Sequence, residues 1–376
     1  MKRRKALLVL EDGTYFYGYS LGAEGETEGE LVFNTSMTGY QEILTDPSYR
    51  GQIVVMTYTQ IGNYGVNPED TESGNVQVNG FVVREAFDHY SSWRGNKDLD
   101  SYLRENGVVG IQGIDTRALV KKIRERGVIR GIITTEDLDP RRVFERVRSV
   151  PDISELDLVD KVATDRPYGW DRGDWVLGEG YPRKEAEGPL VAVVDFGVKR
   201  NILRRLTSEG ARVAVIPPSM ARDFIEREKP SALFLSNGPG DPERVVTGIR
   251  LVREFMGRMP ILGICLGCQI IGLALGARTY KLKFGHHGGN HPVKDLRTGK
   301  VEITAQNHNF AIDPETLPPE VEITHMNLLD ETVEGIRHRE LPLFAVQYHP
   351  ENSPGPHDSY YLFSEFVSLA RTHSAS

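Results

Sequence analysis

Along its first 150 residues the chain alternates apolar and polar positions with a period of two, in short runs broken by turn chemistry: 7–10, 15–19, 30–34, 52–58 and 76–83. That period puts successive side chains on opposite faces of a strand, so these runs predict strands. Asp12-Gly13, between the first two runs, marks a hairpin. The clearest helical spacing is over 116–126, where Leu119, Val120 and Ile123 share a face and Asp115 stands at the N-cap position. Residues 1–150 therefore read as a β-rich α+β domain.

From 151 to 189 the periodicity fades into turn-forming sequence such as Asp165-Arg-Pro-Tyr-Gly and Gly178-Glu-Gly-Tyr-Pro, which predicts a linker. From 190 to 376 the pattern changes again. The run 190–195 is continuously apolar up to Asp195, as in a strand covered on both faces, and 198–208 follows with Ile202, Leu203 and Leu206 on one helical face. Lys199, Arg200, Arg204 and Arg205 fall outside that stripe and read as a solvated face. The runs 211–216, 232–235 and 261–265 repeat the strand pattern with helical stretches between them, and an amphipathic helix over about 359–371 ends the order. Alternating strands and helices predict an α/β domain with a doubly wound, mostly parallel sheet, whose functional loops lie at the carboxyl ends of the strands.

Composition narrows the function classes. With 45 basic and 53 acidic residues the net charge is −8, which argues against a general affinity for nucleic-acid backbones. The basic start from Lys2 is followed by only five apolar residues before Glu11, too few for a secretory signal. The longer apolar stretch 261–277 contains Gln269 and several glycines, so it reads as a buried strand turning into a buried helix rather than a membrane span. Two cysteines, Cys265 and Cys268, fit a reducing cytoplasm and not a disulfide framework.

Candidate chemistry collects at three predicted strand ends. Cys265 stands where the strand 261–265 gives way to a helix, flanked by Gly263 and Gly267. A nucleophile on such a turn is presented to substrate, the helix N-terminus favours thiolate, and the N–H of Leu266 is aimed at a developing oxyanion. A buried structural cysteine and a Cys-x-x-Cys redox pair with Cys268 are the competing readings of this segment by itself. The loop Ser236-Asn-Gly-Pro-Gly-Asp-Pro242 follows a second strand, and Gly238 and Gly240 allow its backbone to approach a ligand. A phosphate loop lacks its lysine here, and an ordinary tight turn remains an alternative. The third strand ends in His349-Pro350-Glu351, an imidazole that can serve as base with a carboxylate to orient it.

Together these motifs resemble the class I, triad-type glutamine amidotransferases. The resemblance to the small subunits of carbamoyl-phosphate synthetases is closer and spans nearly the whole chain. It rests on the segments 33–49 (Phe-Asn-Thr-Ser-Met-Thr-Gly-Tyr-Gln-Glu-Ile-Leu-Thr-Asp-Pro-Ser-Tyr) and 113–117 (Gly-Ile-Asp-Thr-Arg). Asp195-Phe-Gly-Val-Lys-Arg-Asn, Phe284-Gly-His-His-Gly-Gly-Asn-His and Ala305-Gln-Asn-His add to it. The resemblance implies glutamine hydrolysis through a Cys265 thioester, with His349 oriented by Glu351 and an oxyanion hole from the N–H groups of Gly238 and Leu266. It further implies that Ser48, Gly240, Gln269, Asn307, Asn309 and Phe310 hold glutamine. Ammonia would pass through an interior tunnel to a separate large subunit, giving a heterodimer or higher oligomer. No cofactor is implied in this chain. ATP and magnesium would act on the large subunit, where bicarbonate and ammonia become carbamoyl phosphate for arginine and pyrimidine synthesis.

Two positions depart from the family pattern. Cys268 stands where histidine is more usual, and Asn309 where glycine is familiar; asparagine is the side chain that best tolerates a left-handed backbone. The density of His286, His287 and His291 could suit zinc, but the resemblance accounts for them as a structural loop near the partner, and no metal is implied. Two rivals stand beside the amidotransferase reading. A free-standing cysteine γ-glutamyl hydrolase would leave the 150-residue first domain without a purpose, and a silent binding partner would not need Cys265, His349 and Glu351 together. The chain stops soon after its last helix, so a fused synthetase domain is not expected.

Overall fold

The computed structural model describes residues 3–185 and 187–374; Lys2 lies outside them. The chain divides into two compact units, residues 1–156 with 283–287, and residues 157–282 with 288–376.

In the first unit seven strands close into a barrel in the order Lys5–Leu10, Tyr15–Gly22, Val109–Gln112, Gly80–Val83, Gln52–Met56, Glu26–Asn34 and Ile129–Thr134. Alternation builds its interior: Ala6, Leu8 and Leu10 meet Leu31, Phe33, Ile53, Val55, Val82, Ile111 and Ile133 in one apolar cluster. Leu119 and Ile123 of the helix Thr116–Arg126 join it, and the Asp115 side chain accepts from the N–H of Ala118 as an N-cap does. The first strand is more buried than simple alternation predicts. Leu7 and Val9, on its outer face, are covered by Val143 and Val147 of the helix Pro140–Val147. A late segment, 283–287, also belongs to this unit: Val128 N–H donates to the carbonyl of Lys283 at 2.8 Å, and the Phe33 and Phe284 rings lie 5.9 Å apart. Gly127 makes that approach possible, since a Cβ there would sit 2.7 Å from the Lys283 carbonyl oxygen. These residues form part of the strand Thr279–Asp295, not the loop expected from the family resemblance.

The second unit is built on a ten-stranded sheet. Its centre is parallel: Arg212–Ile216, Leu190–Val194, Ala232–Leu235, Ile261–Ile264 and Leu343–Val346, in that spatial order. Tyr168–Trp170, from the stretch expected as linker, pairs antiparallel with Arg212–Ile216 at one edge. On the other side Val333–His338, Val321–Asn327, Thr279–Asp295 and Val301–Ile312 continue the sheet as an antiparallel wing that the apolar runs did not announce. Helices cover both faces of the parallel centre. Leu251, Val252, Phe255, Ile270 and Ile271 pack on one, and Ile202, Leu203, Leu206, Phe363, Phe366 and Val367 on the other. No helix of the described residues is long and apolar enough to cross a membrane.

Candidate active site

The strand Ile261–Ile264 ends at Cys265, and the helix Leu266–Ala274 begins on the next residue. Cys265 has φ 56° and ψ −108°, a conformation that side chains other than glycine rarely adopt and that costs on the order of 1–3 kcal/mol. The turn is held on both sides. Cys265 N–H donates to the Val346 carbonyl at 2.9 Å, while its own carbonyl accepts from Cys268 N–H at 3.0 Å. Packing explains the flanking glycines. A Cβ on Gly263 would lie 2.5 Å from the Gly267 backbone, and one on Gly267 would lie 2.2 Å from the Leu235 carbonyl oxygen. Leu266 is the first helical residue, where N–H groups have no intrahelical acceptor. Cys268 does not share the nucleophile's environment: it is fully buried in the apolar cluster on one face of the sheet, whereas Cys265 belongs to the cluster on the other. Burial, with Cys265 and Glu334 nearby, pushes the Cys268 thiol up.

His349 and Glu351 follow the neighbouring parallel strand Leu343–Val346. The imidazole Nδ1 lies 2.8 Å from a Glu351 carboxylate oxygen, and both side chains are almost wholly buried. Backbone bonds fix the histidine, whose N–H donates to the Ala305 carbonyl at 2.9 Å. Cys265 lies close enough to act on the ring both by charge and as a hydrogen-bond partner, although Nε2 has no well-aligned bond in this resting site. Burial and the Lys199 ammonium oppose the charged imidazole, but Glu351 and Cys265 outweigh them and push His349 up to about 10. For Glu351, burial raises the carboxyl, while Lys199 and His349 overcome it and hold it down at about 2.

Lys199 is the participant that the sequence pattern misplaced. Its ammonium is 2.8 Å from Glu351, and it is 3% exposed instead of belonging to a solvated face. The helix starts two residues later than the apolar stripe suggested, at Arg200, so Lys199 is its N-cap and leaves the surface pattern. Its N–H donates to Asn237 Oδ1 at 3.0 Å, which ties it to the Ser236–Pro239 loop, and Asn201 Nδ2 donates to the Glu351 carbonyl. Arg204 is buried too, with its guanidinium 3.6 Å above the Tyr181 ring. The signal that could have found Lys199 is topological: it follows the carboxyl end of Leu190–Val194, where functional loops of such sheets lie.

The other expected residues are distributed as follows. Gly238 and Gly240 lie in the loop after Ala232–Leu235. A Cβ on Gly238 would meet the Phe196 carbonyl oxygen at 2.3 Å, and Gly240 has φ +89°. Asn307, Asn309 and Phe310 sit on the wing strand Val301–Ile312, and the Cys265 Sγ lies 3.4 Å from the Asn307 carbonyl oxygen. Asn309 has no positive φ; it is an ordinary strand residue, so asparagine's tolerance of a left-handed backbone is not called on there. Gln269, on the helix after Cys265, donates to the Phe310 carbonyl at 2.8 Å. Ser48 belongs to the first unit, in the short helical turn Pro47–Tyr49, where its N–H is capped by Asp46 at 2.9 Å. A thiol at a strand-to-helix turn, with a buried imidazole and carboxylate beside it, can carry out acyl transfer from an amide.

Comparison with known proteins points the same way. Residues 8–133 match the family described as carbamoyl-phosphate synthase small chain, CPSase domain, and residues 192–369 match glutamine amidotransferase class-I. The carbamoyl phosphate synthase small chain of Aquifex aeolicus (strain VF5) is 71% identical over 369 residues, covering 98% of this chain and 100% of that protein. That of Syntrophotalea carbinolica (strain DSM 2380 / NBRC 103641 / GraBd1) is 53% identical, covering 99% of each. That of Synechococcus sp. (strain ATCC 27144 / PCC 6301 / SAUG 1402/1) is also 53% identical, covering 98% and 94%.

Proposed function

Because this chain belongs to the carbamoyl-phosphate synthase small-chain family and is a glutamine-hydrolysing subunit, we propose that Cys265, His349 and Glu351 carry the hydrolysis and that the ammonia passes to a separate large chain. The Cys265 thiolate attacks the side-chain amide carbon of glutamine, forming a C–S bond and moving the carbonyl electrons onto oxygen. The N–H groups of Gly238 and Leu266 donate to that oxyanion. Collapse of the adduct breaks the C–N bond, and His349 gives its proton to the departing ammonia. His349 then takes a proton from water, whose oxygen displaces sulfur and yields glutamate. Glu351 fixes the imidazole through Nδ1. Gly240, Gln269, Asn307, Asn309 and Phe310 hold the glutamine.

The large chain would use ATP, magnesium and bicarbonate to turn the ammonia into carbamoyl phosphate, in a cytoplasmic setting that feeds arginine and pyrimidine synthesis. What supports the reading most is one buried line of charge: Lys199 to Glu351 at 2.8 Å, Glu351 to His349 at 2.8 Å, and Cys265 against the imidazole. The test is glutamate release by the purified chain and by Cys265→Ser, with and without the large chain, ATP and bicarbonate. Activity that rises with the partner and is lost in the variant is expected. Full activity without any partner would replace the reading with a free-standing hydrolase.

A further inference from the structure

A pair of buried amides next to the elbow determines what kind of group the substrate pocket can recognise. Gln269 lies one helical turn beyond Cys265, and its terminal nitrogen is 2.8 Å from the Phe310 carbonyl oxygen and 3.1 Å from Gln347 Oε1. A backbone carbonyl only accepts, so the Gln269 atom facing it must be Nε2. The Gln347 atom facing that same Nε2 must then be its oxygen. One backbone carbonyl thus fixes the orientation of both amides. Both hydrogens of Gln269 Nε2 are consumed, and among the described residues its Oε1 accepts no hydrogen bond. Gln347 is fully buried, and its own Nε2 has no partner. It is held by its backbone N–H, which donates to the Glu334 carbonyl at 2.9 Å.

We propose that Gln347 is a positioning residue that locks Gln269 with its carbonyl oxygen toward the substrate, making Gln269 a hydrogen-bond acceptor selective for the α-ammonium of glutamine. The inference rests on the glutaminase reading above. Glutamine carries two donor groups, the side-chain amide and the α-ammonium. The amide nitrogen is the leaving group and must face His349, so the ammonium is the donor left for Gln269. Spacing agrees, because one helical turn advances about 5.4 Å and glutamine's ammonium lies a comparable distance from its amide carbon. Without Gln347, Gln269 Nε2 keeps only the Phe310 carbonyl, so the amide can swing about that single bond and its carbonyl oxygen is no longer held in place toward the pocket.

The test compares glutamine with 4-carbamoylbutanoate, the same amide without the α-amino group, in wild type, Gln347→Met and Gln347→Glu, each as full chain with its synthetase partner. Wild type should prefer glutamine in kcat/KM by on the order of 10- to 100-fold. Gln347→Met should lose about tenfold on glutamine, mainly through KM, and change little on the des-amino amide. Gln347→Glu keeps an acceptor oxygen and should retain the preference. An equal fall on both substrates, or a lost preference in Gln347→Glu, would overturn the proposal. If wild type released no glutamate from glutamine, the glutaminase reading itself would fail.

Discussion

Along the parallel strands of the second unit, Val191, Val193, Phe234, Leu262 and Ile264 are buried and apolar, whereas Glu302, Thr304, Gln306 and His308 follow one another at every second position of a wing strand and are just as buried. The first set sits under the helices on one face of the sheet, where an unpaired polar group would cost dearly. The second is tolerable because its members have polar partners. Gln306 Nε2 donates to Thr304 Oγ1 at 3.1 Å, His308 Nε2 lies 3.0 Å from Gln306 Oε1, and Glu302 accepts from Ser359 Oγ at 2.5 Å. The reactive groups stand where the two kinds of burial meet. Cys265 and His349 end parallel strands, and the Asn307 and Ala305 carbonyls that touch them come from the wing. Apolar burial supplies fixed positions, and polar burial beside it supplies hydrogen bonds without opening the site to water.

That contrast can be attacked at several points. The largest effect is expected at the seam. Cys265→Ser should lower glutamate release by about three orders of magnitude or more, while ammonia-dependent synthesis by the complex with the large chain persists. Lys199→Met leaves the Glu351 charge buried without its cation and should cost about 3 kcal/mol in unfolding free energy. Its pH signature is specific. Glu351, held at about 2 against an ordinary 4.5, contributes stability that is present above pH 4.5 and lost as pH falls toward 2. His349, held at about 10 against 6.5, contributes stability present below pH 6.5 and lost as pH rises through 10. Lys199 lowers both groups, so its removal should move both limbs of the stability profile to higher pH; a profile that keeps its limbs contradicts the assignment.

Two near-isosteric exchanges sharpen the comparison directly. Val193→Thr buries a hydroxyl among apolar neighbours, and Thr304→Val takes away the partner of both the His291 carbonyl and Gln306. Each should destabilise by about 1–3 kcal/mol in urea melts, although one adds a polar group and the other removes one. The smallest effect is expected at Cys268→Ala, where glutaminase should stay within about threefold because that thiol packs away from the nucleophile's cluster.

Legibility in the sequence followed the same divide. The apolar runs announced the parallel strands, and the loops that follow them announced Cys265, His349 and Glu351, because a strand covered on both faces leaves an unmistakable pattern. The wing left none: Thr304, Gln306 and His308 look like exposed positions until their mutual hydrogen bonds are seen. Lys199 was misread for a related reason. Charge on a helical wheel predicts solvent, and only the fold brings Glu351 to neutralise it. Asn309 stands where glycine is familiar in the family, and its place within a strand makes no demand for a left-handed backbone.

The membership of Lys283–His287 in the first unit has a consequence for biosynthesis. A ribosome will have finished every strand of the barrel by Thr134, yet the piece that lies beside Val128 does not exist until the polymerised chain is about twice as long. At roughly 5–20 residues per second, that interval is on the order of ten seconds. During it the nascent barrel exposes the surface that Phe284 later covers at Phe33. Expression of residues 1–156 alone would make that interval permanent, so such a fragment should be harder to keep from aggregating than the full-length chain.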